Sequence, residues 1–518
     1  MKRIFAAFLL LAVAVSATAQ DKSTVKVGAP AAGQVIPREI YGQFAEHLGS
    51  GIYGGIWVGP ESPIPNVKGY RTDVLEALKA IKVPLVRWPG GCFADDYHWR
   101  NGIGPRDKRP SITNNNWGGT VEDNSFGTHE FLDFCELLGC EPYISGNVGS
   151  GSVEELADWI EYMTAASDTP MSRLRRQNGR DKPWKVKYIG IGNEAWGCGG
   201  NMRPEYYSDL LRRYATYCHE FDGNKLFIIA SGASDYDYNW TDVILKNRKG
   251  KMDGISLHYY SVDNWGNKGS ATDFTKDDYY WVLGKSTEVE EVIKNHIALM
   301  DKYDPNKRIA LCLDEWGTWW NVEPGTNPGH LFQQSTMRDA MVASTTLDIC
   351  HKYSDRLKMT NIAQMVNVLQ AMILTQGEKM LLTPTYYVYK MYAVHQGATY
   401  LPVEVNTATR EVRGGRGKTT RTIPLLSATA SRDGAGKVHV SLSNLDADNS
   451  HEVTVDLGAV TGSSKGSGEI LASKNLTDHN EFGKPEAVKT VPFKDFRIKD
   501  GKLTVKMPAA SIVTVELQ

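Results

Sequence analysis

Lys187-Tyr188-Ile189-Gly190-Ile191-Gly192 is a short apolar run that stops at the polar pair Asn193-Glu194. A run of this length, carrying β-branched and aromatic side chains and bounded by turn-formers, reads as a strand buried on both faces, the kind found in parallel sheets. The carboxylate that follows then stands at the C-terminal edge of such a sheet, where reactive groups collect.

Working outward, seven more runs of this type occur: Ile40–Phe44, Leu85–Trp88, Tyr143–Gly146, Phe227–Ala230, Gly254–Leu257, Ile309–Leu313 and Met365–Leu369. Between them lie Asp73–Ile81, Thr128–Leu138, Val153–Ala165, Pro204–Glu220, Thr287–Lys302 and Gln333–His351, where apolar residues recur at three and four, the helical period. Eight strand-plus-helix units predict an α/β fold, a closed (β/α)8 TIM barrel over residues 40–396, with a doubly wound open sheet as the main alternative. After about Gly397 the pattern changes to short alternating strands such as Lys437–Leu442, Glu452–Leu457, Lys502–Val505 and Ser511–Leu517, punctuated by Asp433-Gly434 and Asp500-Gly501. This predicts a C-terminal antiparallel β-sandwich, jelly-roll-like, over residues 397–518. In the N-terminal segment 20–39, strand-like Thr24–Val27 is expected to pair into that sandwich.

Lys2 and Arg3 precede the apolar run Ile4–Val15 and the small triplet Ala17-Thr18-Ala19, the layout of a cleavable export signal over residues 1–19. The run is too short to span a bilayer, so the expectation is an exported chain, periplasmic or extracellular, without stable membrane insertion. The 518 residues carry 58 basic and 60 acidic side chains and no long basic block, which argues against a nucleic-acid partner. Seven cysteines are too few for a disulfide scaffold, and the odd count leaves at least one unpaired. Cys135 and Cys140, at the end of an apolar helix, read as buried thiols.

Two of the strands deliver a glutamate to one rim. The fourth ends in Asn193-Glu194, and the seventh, Ile309–Leu313, in Asp314-Glu315-Trp316. Cleaving a glycosidic bond needs one carboxylic acid to protonate the departing oxygen and one carboxylate to attack or stabilise the sugar cation, so a pair of strand-end glutamates has a chemical purpose. A lone strand-end glutamate is as often a cap or an ion-pair partner; two on one rim are not. The histidines are scattered, no Cys-x2-Cys exists and Gly90-Gly91 lacks a phosphate-loop context, so no metal site is predicted and the chemistry calls for no cofactor.

The chain resembles glycoside hydrolase family 51, the α-L-arabinofuranosidases, over essentially its whole length beyond the leader. The most specific segments are Ile40-Tyr41-Gly42-Gln43-Phe44-Ala45-Glu46-His47-Leu48, Arg87-Trp88-Pro89-Gly90-Gly91, Gly102-Ile103-Gly104-Pro105, Gly192-Asn193-Glu194 and Asp314-Glu315-Trp316. The resemblance implies exo-acting release of terminal α-L-arabinofuranose from arabinan- or arabinoxylan-type saccharides, with Glu194 as acid/base and Glu315 as nucleophile in a retaining double displacement. It also implies that Glu46 grips sugar hydroxyls, although an ion pair with Arg87 is its purely structural alternative. Asn193 would contact the sugar 2-OH, and His258 and Tyr260 would support the carboxyl pair, the Tyr260 hydroxyl orienting Glu315. Of the aromatic residues near these loops, Trp117 and Trp319 are expected in the pocket, and Trp57, Trp99, Trp316 and Trp320 in the packing. Family members assemble as trimers or hexamers, which implies a homo-oligomer here.

Two departures stand out. Cys92 follows Pro89-Gly90-Gly91 where many members carry a sugar-binding Asn; it is expected either to pack against the sugar ring or to form a disulfide, Cys198 being the candidate partner. No Gln stands near Leu382-Thr383-Pro384-Thr385, where many members place one at the pocket rim. These differences leave a second retaining activity, endo-β-1,4-glucanase or β-xylosidase, as the alternative. A non-catalytic carbohydrate-binding protein is a third reading, which the presence of both glutamates opposes.

Overall fold

The computed structural model describes residues 22–30, 33–262, 264–413, 420–458, 460 and 462–518. Eight strands form the central ring: β1 (Gly42–Phe44), β2 (Leu85–Trp88), β3 (Glu141–Gly146), β4 (Tyr188–Ile191), β5 (Phe227–Ser234), β6 (Gly254–Ser261), β7 (Ala310–Thr318) and β8 (Leu357–Ile362). Every neighbouring pair is parallel, and the ring closes where β8 meets β1, Asn361 lying opposite Gly42. Closure decides for the barrel over the open doubly wound sheet. Residues 1–21, and with them the leader reading, lie outside the described residues.

The eighth strand is not Met365–Leu369, as expected, but the preceding Leu357–Ile362. Its inward polar groups are paid in hydrogen bonds: Thr360 Oγ1 donates to the Ile40 carbonyl at 2.6 Å and Asn361 Nδ2 to the Gln43 carbonyl at 2.7 Å. Met365–Leu369 is buried as a loop under the barrel mouth, and positive φ at Asn367 and Leu369 is incompatible with an extended strand. Strands β5, β6 and β7 run four or five residues further than their apolar runs. Register shifts break the β6–β7 ladder between Ser256 and His258 and bring His258 opposite Glu315. Irregularities of this kind re-aim side chains at barrel rims.

Leu85, Tyr143, Tyr188, Ile229, Ala310, Cys312 and Met359 fill the lower barrel interior, so the lumen is a packed floor and the functional groups above it are held from beneath. Around the mouth, Thr336 caps helix Met337–Lys352 in a capping box with Asp339, and Asp339 also accepts Trp320 Nε1 at 2.9 Å. The loop after β7 is thereby tied to a rigid helix.

The β-rich domain is two packed sheets. One orders Thr399–Leu401, Leu426–Arg432, Val438–Asn444, Ser511–Leu517, Gly466–Ala472 and Val491–Phe493; the other orders Val403–Asn406, Lys22–Val27, His451–Asp456, Lys502–Met507 and Phe496–Lys499. Lys22–Val27 runs antiparallel to Val403–Asn406 but parallel to His451–Asp456. The first described strand is thus built into the second domain ahead of the barrel. Cys135 is buried and Cys140 half-buried, and neither is bonded.

A chain of buried polar groups joins the two domains. His351 of the barrel helix sits between Tyr41 Oη, 2.8 Å away, and Thr429 Oγ1 of the sandwich, 3.0 Å away. Asp348, one turn earlier, accepts from Ser427 and Tyr392. Burial pushes the His351 imidazole down to about 3, against about 6.5 in an unfolded chain. Above about pH 6.5 neither state binds this proton; below it only the unfolded state does, so stability falls with pH until about pH 3. Burial raises Asp348 to about 7, which acts in the opposite sense. Replacing His351 by Gln should therefore remove roughly 2 kcal/mol of the stability loss between pH 7 and pH 5, measured as the difference in unfolding free energy between wild type and variant at the two pH values.

Candidate active site

The site assembles from strand ends that are remote in sequence. Glu194 follows β4 at a positive φ of 40°, and Glu315 lies within β7. Carboxyl oxygens of the two, together with a ring nitrogen of His258, lie within 4.8 Å of one another. The glutamates face the same cavity of about 360 Å3, which Glu46, Cys92, Trp117, Tyr260 and Trp319 also line.

Glu315 is held from three sides. Arg87 Nη1 donates to its Oε2 at 3.1 Å, Tyr260 Oη donates to its Oε1 at 2.8 Å, and His258 Nδ1 lies 3.6 Å away. Arg87, buried on β2 with its guanidinium over the Phe44 ring, also donates to Asn193 Oδ1 and to the Asp314 carbonyl. The Asn193 amide is thereby oriented, and among the described residues its Nδ2 has no partner nearer than Cys198 Sγ at 4.0 Å. Burial opposes charge on Arg87, but Asp314 and Glu315 outweigh it and raise its pKa further. The guanidinium is a fixed positive charge beneath the pair.

Glu194 has fewer restraints and more solvent. His258 Nδ1 approaches its Oε1 at 2.8 Å, and its side chain is 18% exposed against 10% for Glu315. His258 Nε2 lies 3.3 Å from Asp314 Oδ1. Burial disfavours the imidazolium, yet Glu315, Asp314 and Glu194 together overcome this and lift His258 to about 10. Asp314 is buried and also accepts from Tyr143 Oη at 2.7 Å; burial alone would raise it, but Arg87 and His258 hold it below the ordinary range. Glu194, His258 and Glu315 form one of two groupings among the described residues whose spacing suits a cation. A histidine that keeps its proton to about pH 10 is a poor ligand at neutral pH. A second grouping, Cys92, Glu194 and Cys198, offers no thiolates, because its two sulfurs are joined to each other.

Glu46 does not pair with Arg87. Its Oε1 accepts from the Phe93 amide at 3.0 Å and Trp117 Nε1 at 2.9 Å, and its Oε2 from Gln364 Nε2 at 3.0 Å. Burial, with Glu315 nearby, raises it to about 7. Gly91 is required here: a β-carbon on it would sit 2.8 Å from both Glu46 oxygens. Leu382–Thr385 leads into helix Pro384–Tyr392, and the glutamine that lines the cavity is Gln364. It comes from the segment just after β8 and was hidden by the misplaced strand. Cys92 lines the cavity and is bonded to Cys198. Trp319 packs edge-on to Tyr260 with ring centres 5.0 Å apart. Trp57, Trp99, Trp316 and Trp320 are buried.

Several lining groups escaped the sequence reading. Trp196, Asp235 and Trp265 also face the cavity. Trp265 is 52% exposed and stands 5.4 Å from Trp319, ring to ring. Strand-end position could have flagged Asp235; nothing local marks Trp265.

Comparison with known proteins agrees with this geometry. Residues 77–279 match the family described as Alpha-L-arabinofuranosidase 1 domain, and residues 314–511 the Alpha-L-arabinofuranosidase C-terminal domain. A Bacteroides ovatus protein named "Intracellular exo-alpha-L-arabinofuranosidase" is 64% identical, covering 98% of each chain. A solved GH51 arabinofuranosidase from Xanthomonas axonopodis pv. citri is 48% identical, with a TM-score of 0.91 over 96% of this chain and 100% of its own. A Thermotoga maritima α-L-arabinofuranosidase solved as an arabinose complex is 30% identical, with a TM-score of 0.83 over 96% and 99%. The name of the Bacteroides relative overturns the expected periplasmic or extracellular placement: a protein collinear with nearly all of this chain is intracellular. No helix among the described residues is long and apolar enough to cross a membrane. On the strength of the 64% identity over 98% of its length, of the two family matches and of the barrel that carries the carboxyl pair, this chain belongs to glycoside hydrolase family 51, the α-L-arabinofuranosidases.

Proposed function

We propose that the enzyme, an exo-α-L-arabinofuranosidase, releases terminal α-L-arabinofuranose by double displacement, with Glu315 as nucleophile and Glu194 as acid/base. The observation that carries the reading is that one carboxyl oxygen of each glutamate lies within 4.8 Å of the other, an approach that suits the roughly 5–5.5 Å of retaining enzymes better than the roughly 6.5–9.5 Å of inverting ones. The division of roles follows from the surroundings. Two donors, Arg87 and Tyr260, converge on Glu315 with the His258 ring nearby, which suits a group that must attack as a carboxylate. The more open Glu194 can exchange its proton with the leaving oxygen and then with water.

In this reading Glu46, backed by Trp117 and Gln364, receives hydroxyls of the arabinose ring, and Asn193 presents its amide to the 2-OH, a contact that strengthens as positive charge develops at the anomeric carbon. Tyr260 steadies the nucleophile. Removing that donor with Tyr260→Phe should lower kcat roughly 10- to 100-fold with a smaller change in KM, measured on an aryl α-L-arabinofuranoside. The polysaccharides proposed as sources are arabinan and arabinoxylan side chains. Family membership also supports a trimer or hexamer, which sedimentation would resolve.

The direct test is release of 4-nitrophenol from 4-nitrophenyl α-L-arabinofuranoside, set against the β-D-xylopyranoside and a soluble β-glucan. Selective turnover of the arabinofuranoside is expected. Comparable or greater turnover of xyloside or glucan would move the assignment to the alternative glycosidase activities.

A further inference from the structure

We propose that the Cys92–Cys198 disulfide is a positioning element for Glu194, and that its reversible opening by a thiol slows the proton-donating step of catalysis. The proposal rests on the reading of Glu194 as acid/base. Its starting point is the turn that carries this residue. Glu194 is a non-glycine residue in left-handed backbone, a conformation that persists only where surrounding contacts enforce it. The short helix Cys92–Asp96 that follows β2 supplies that enforcement from both sides. Before Glu194, the buried Asp95 carboxylate accepts the Asn193 amide at 2.8 Å and, through its other oxygen, the amides of Val148 at 2.7 Å and Gly149 at 2.9 Å. Four residues after Glu194, the disulfide fixes Cys198 to the start of the same helix. Inside the turn, the Gly197 and Gly199 amides donate to the Glu194 carbonyl at 2.7 and 3.1 Å. Gly199 passes so close to the Asn193 carbonyl that a β-carbon would lie 1.8 Å from it.

The disulfide also touches the reacting group. Cys198 Sγ lies 3.5 Å from Glu194 Oε2. Bonded to Cys92 it carries no proton and forms a passive wall. Once reduced it becomes an S–H donor facing a carboxyl group that must be protonated to act, and donation to the carboxylate favours the ionised, inactive form. Loss of the tether and gain of the donor work in the same direction.

The bond is open to attack. Cys198 is solvent-exposed and Cys92 lines the cavity. A dithiol thiolate would displace Cys92 sulfur from Cys198; the second thiol would then resolve the mixed disulfide. Both cysteines end as thiols, having gained two electrons and two protons, and the dithiol leaves as its cyclic disulfide. Among the described residues the remaining cysteines are already thiols, so the reagent has one target there.

The experiment compares the oxidised enzyme with the same enzyme after dithiothreitol, thiols being counted, on phenyl and 2,4-dinitrophenyl α-L-arabinofuranosides. The phenyl compound needs protonation as it leaves; the dinitrophenyl compound does not. Reduction should lower kcat/KM, which reports formation of the glycosyl-enzyme, about 10-fold or more for the phenyl substrate, leave kcat/KM for the dinitrophenyl substrate within about 3-fold, and reverse on reoxidation. Cys92→Ala should reproduce the reduced profile and not respond to dithiothreitol. Equal losses on both substrates, or no loss on either, would overturn the proposal. Glu194→Ala, run in parallel, separates the two claims: if it too spares the phenyl substrate, the acid/base reading fails; if it shows the leaving-group dependence and reduction does not, only the disulfide's role fails.

Discussion

Glu315→Ala should abolish turnover of 4-nitrophenyl α-L-arabinofuranoside, lowering kcat by about 10,000-fold or more. The side chain leaves Tyr260, Arg87 and His258 aimed at a void, so no other carboxylate can take over the attack. Glu194 remains able to protonate the leaving group. A small anion that fits the vacated space should therefore restore part of the rate: azide or formate would enter from the face Glu315 occupied, and azide would yield the β-L-arabinofuranosyl azide, inverted relative to substrate. The removal of a negative charge near Glu46, one of the causes of that group's raised pKa, should leave binding of arabinose detectable by calorimetry. Loss of binding together with turnover would point to misfolding instead.

Glu194→Ala should fail differently. Acid/base catalysis contributes roughly 100- to 10,000-fold, and the loss should track the leaving group: largest for phenyl, least for 2,4-dinitrophenyl, where formation of the glycosyl-enzyme no longer needs a proton. With the good leaving group the intermediate should accumulate, because the base that activates water is gone. Azide needs no base, attacks the intermediate from the Glu194 side and should give the α-azide. The two variants thus yield azides of opposite configuration, a contrast that no purely structural role for either glutamate produces.

The barrel was legible because seven of its strands are apolar runs whose ends are marked by turn residues or by a change to polar side chains. The eighth was not, because Leu357–Ile362 interleaves Lys358, Thr360 and Asn361 with its apolar residues, and the polar groups inside a closed ring are satisfied by neighbouring strand backbone. A more apolar segment eight residues on outscored it by hydrophobicity alone. Glu194 and Glu315 were visible because each sits at or beyond the end of an apolar strand core. Gln364 and Asp95 were not, since their significance lies in partners 318 residues and 98 residues away, Glu46 and the Asn193 amide. Trp265 and Asp235 belong to loops whose course no local pattern dictates. The location failed for another reason: a short basic-then-apolar leader is a compositional cue, and the name carried by a 64% identical relative contradicts it.

The central claim is that two carboxyl groups with oxygens less than 5 Å apart perform two successive inversions at one anomeric carbon. Proton NMR of the first product formed from 4-nitrophenyl α-L-arabinofuranoside in aqueous methanol tests it most directly. Methyl α-L-arabinofuranoside, with configuration retained, is the predicted product; the β-anomer as first product would mean a single displacement and would contradict the account.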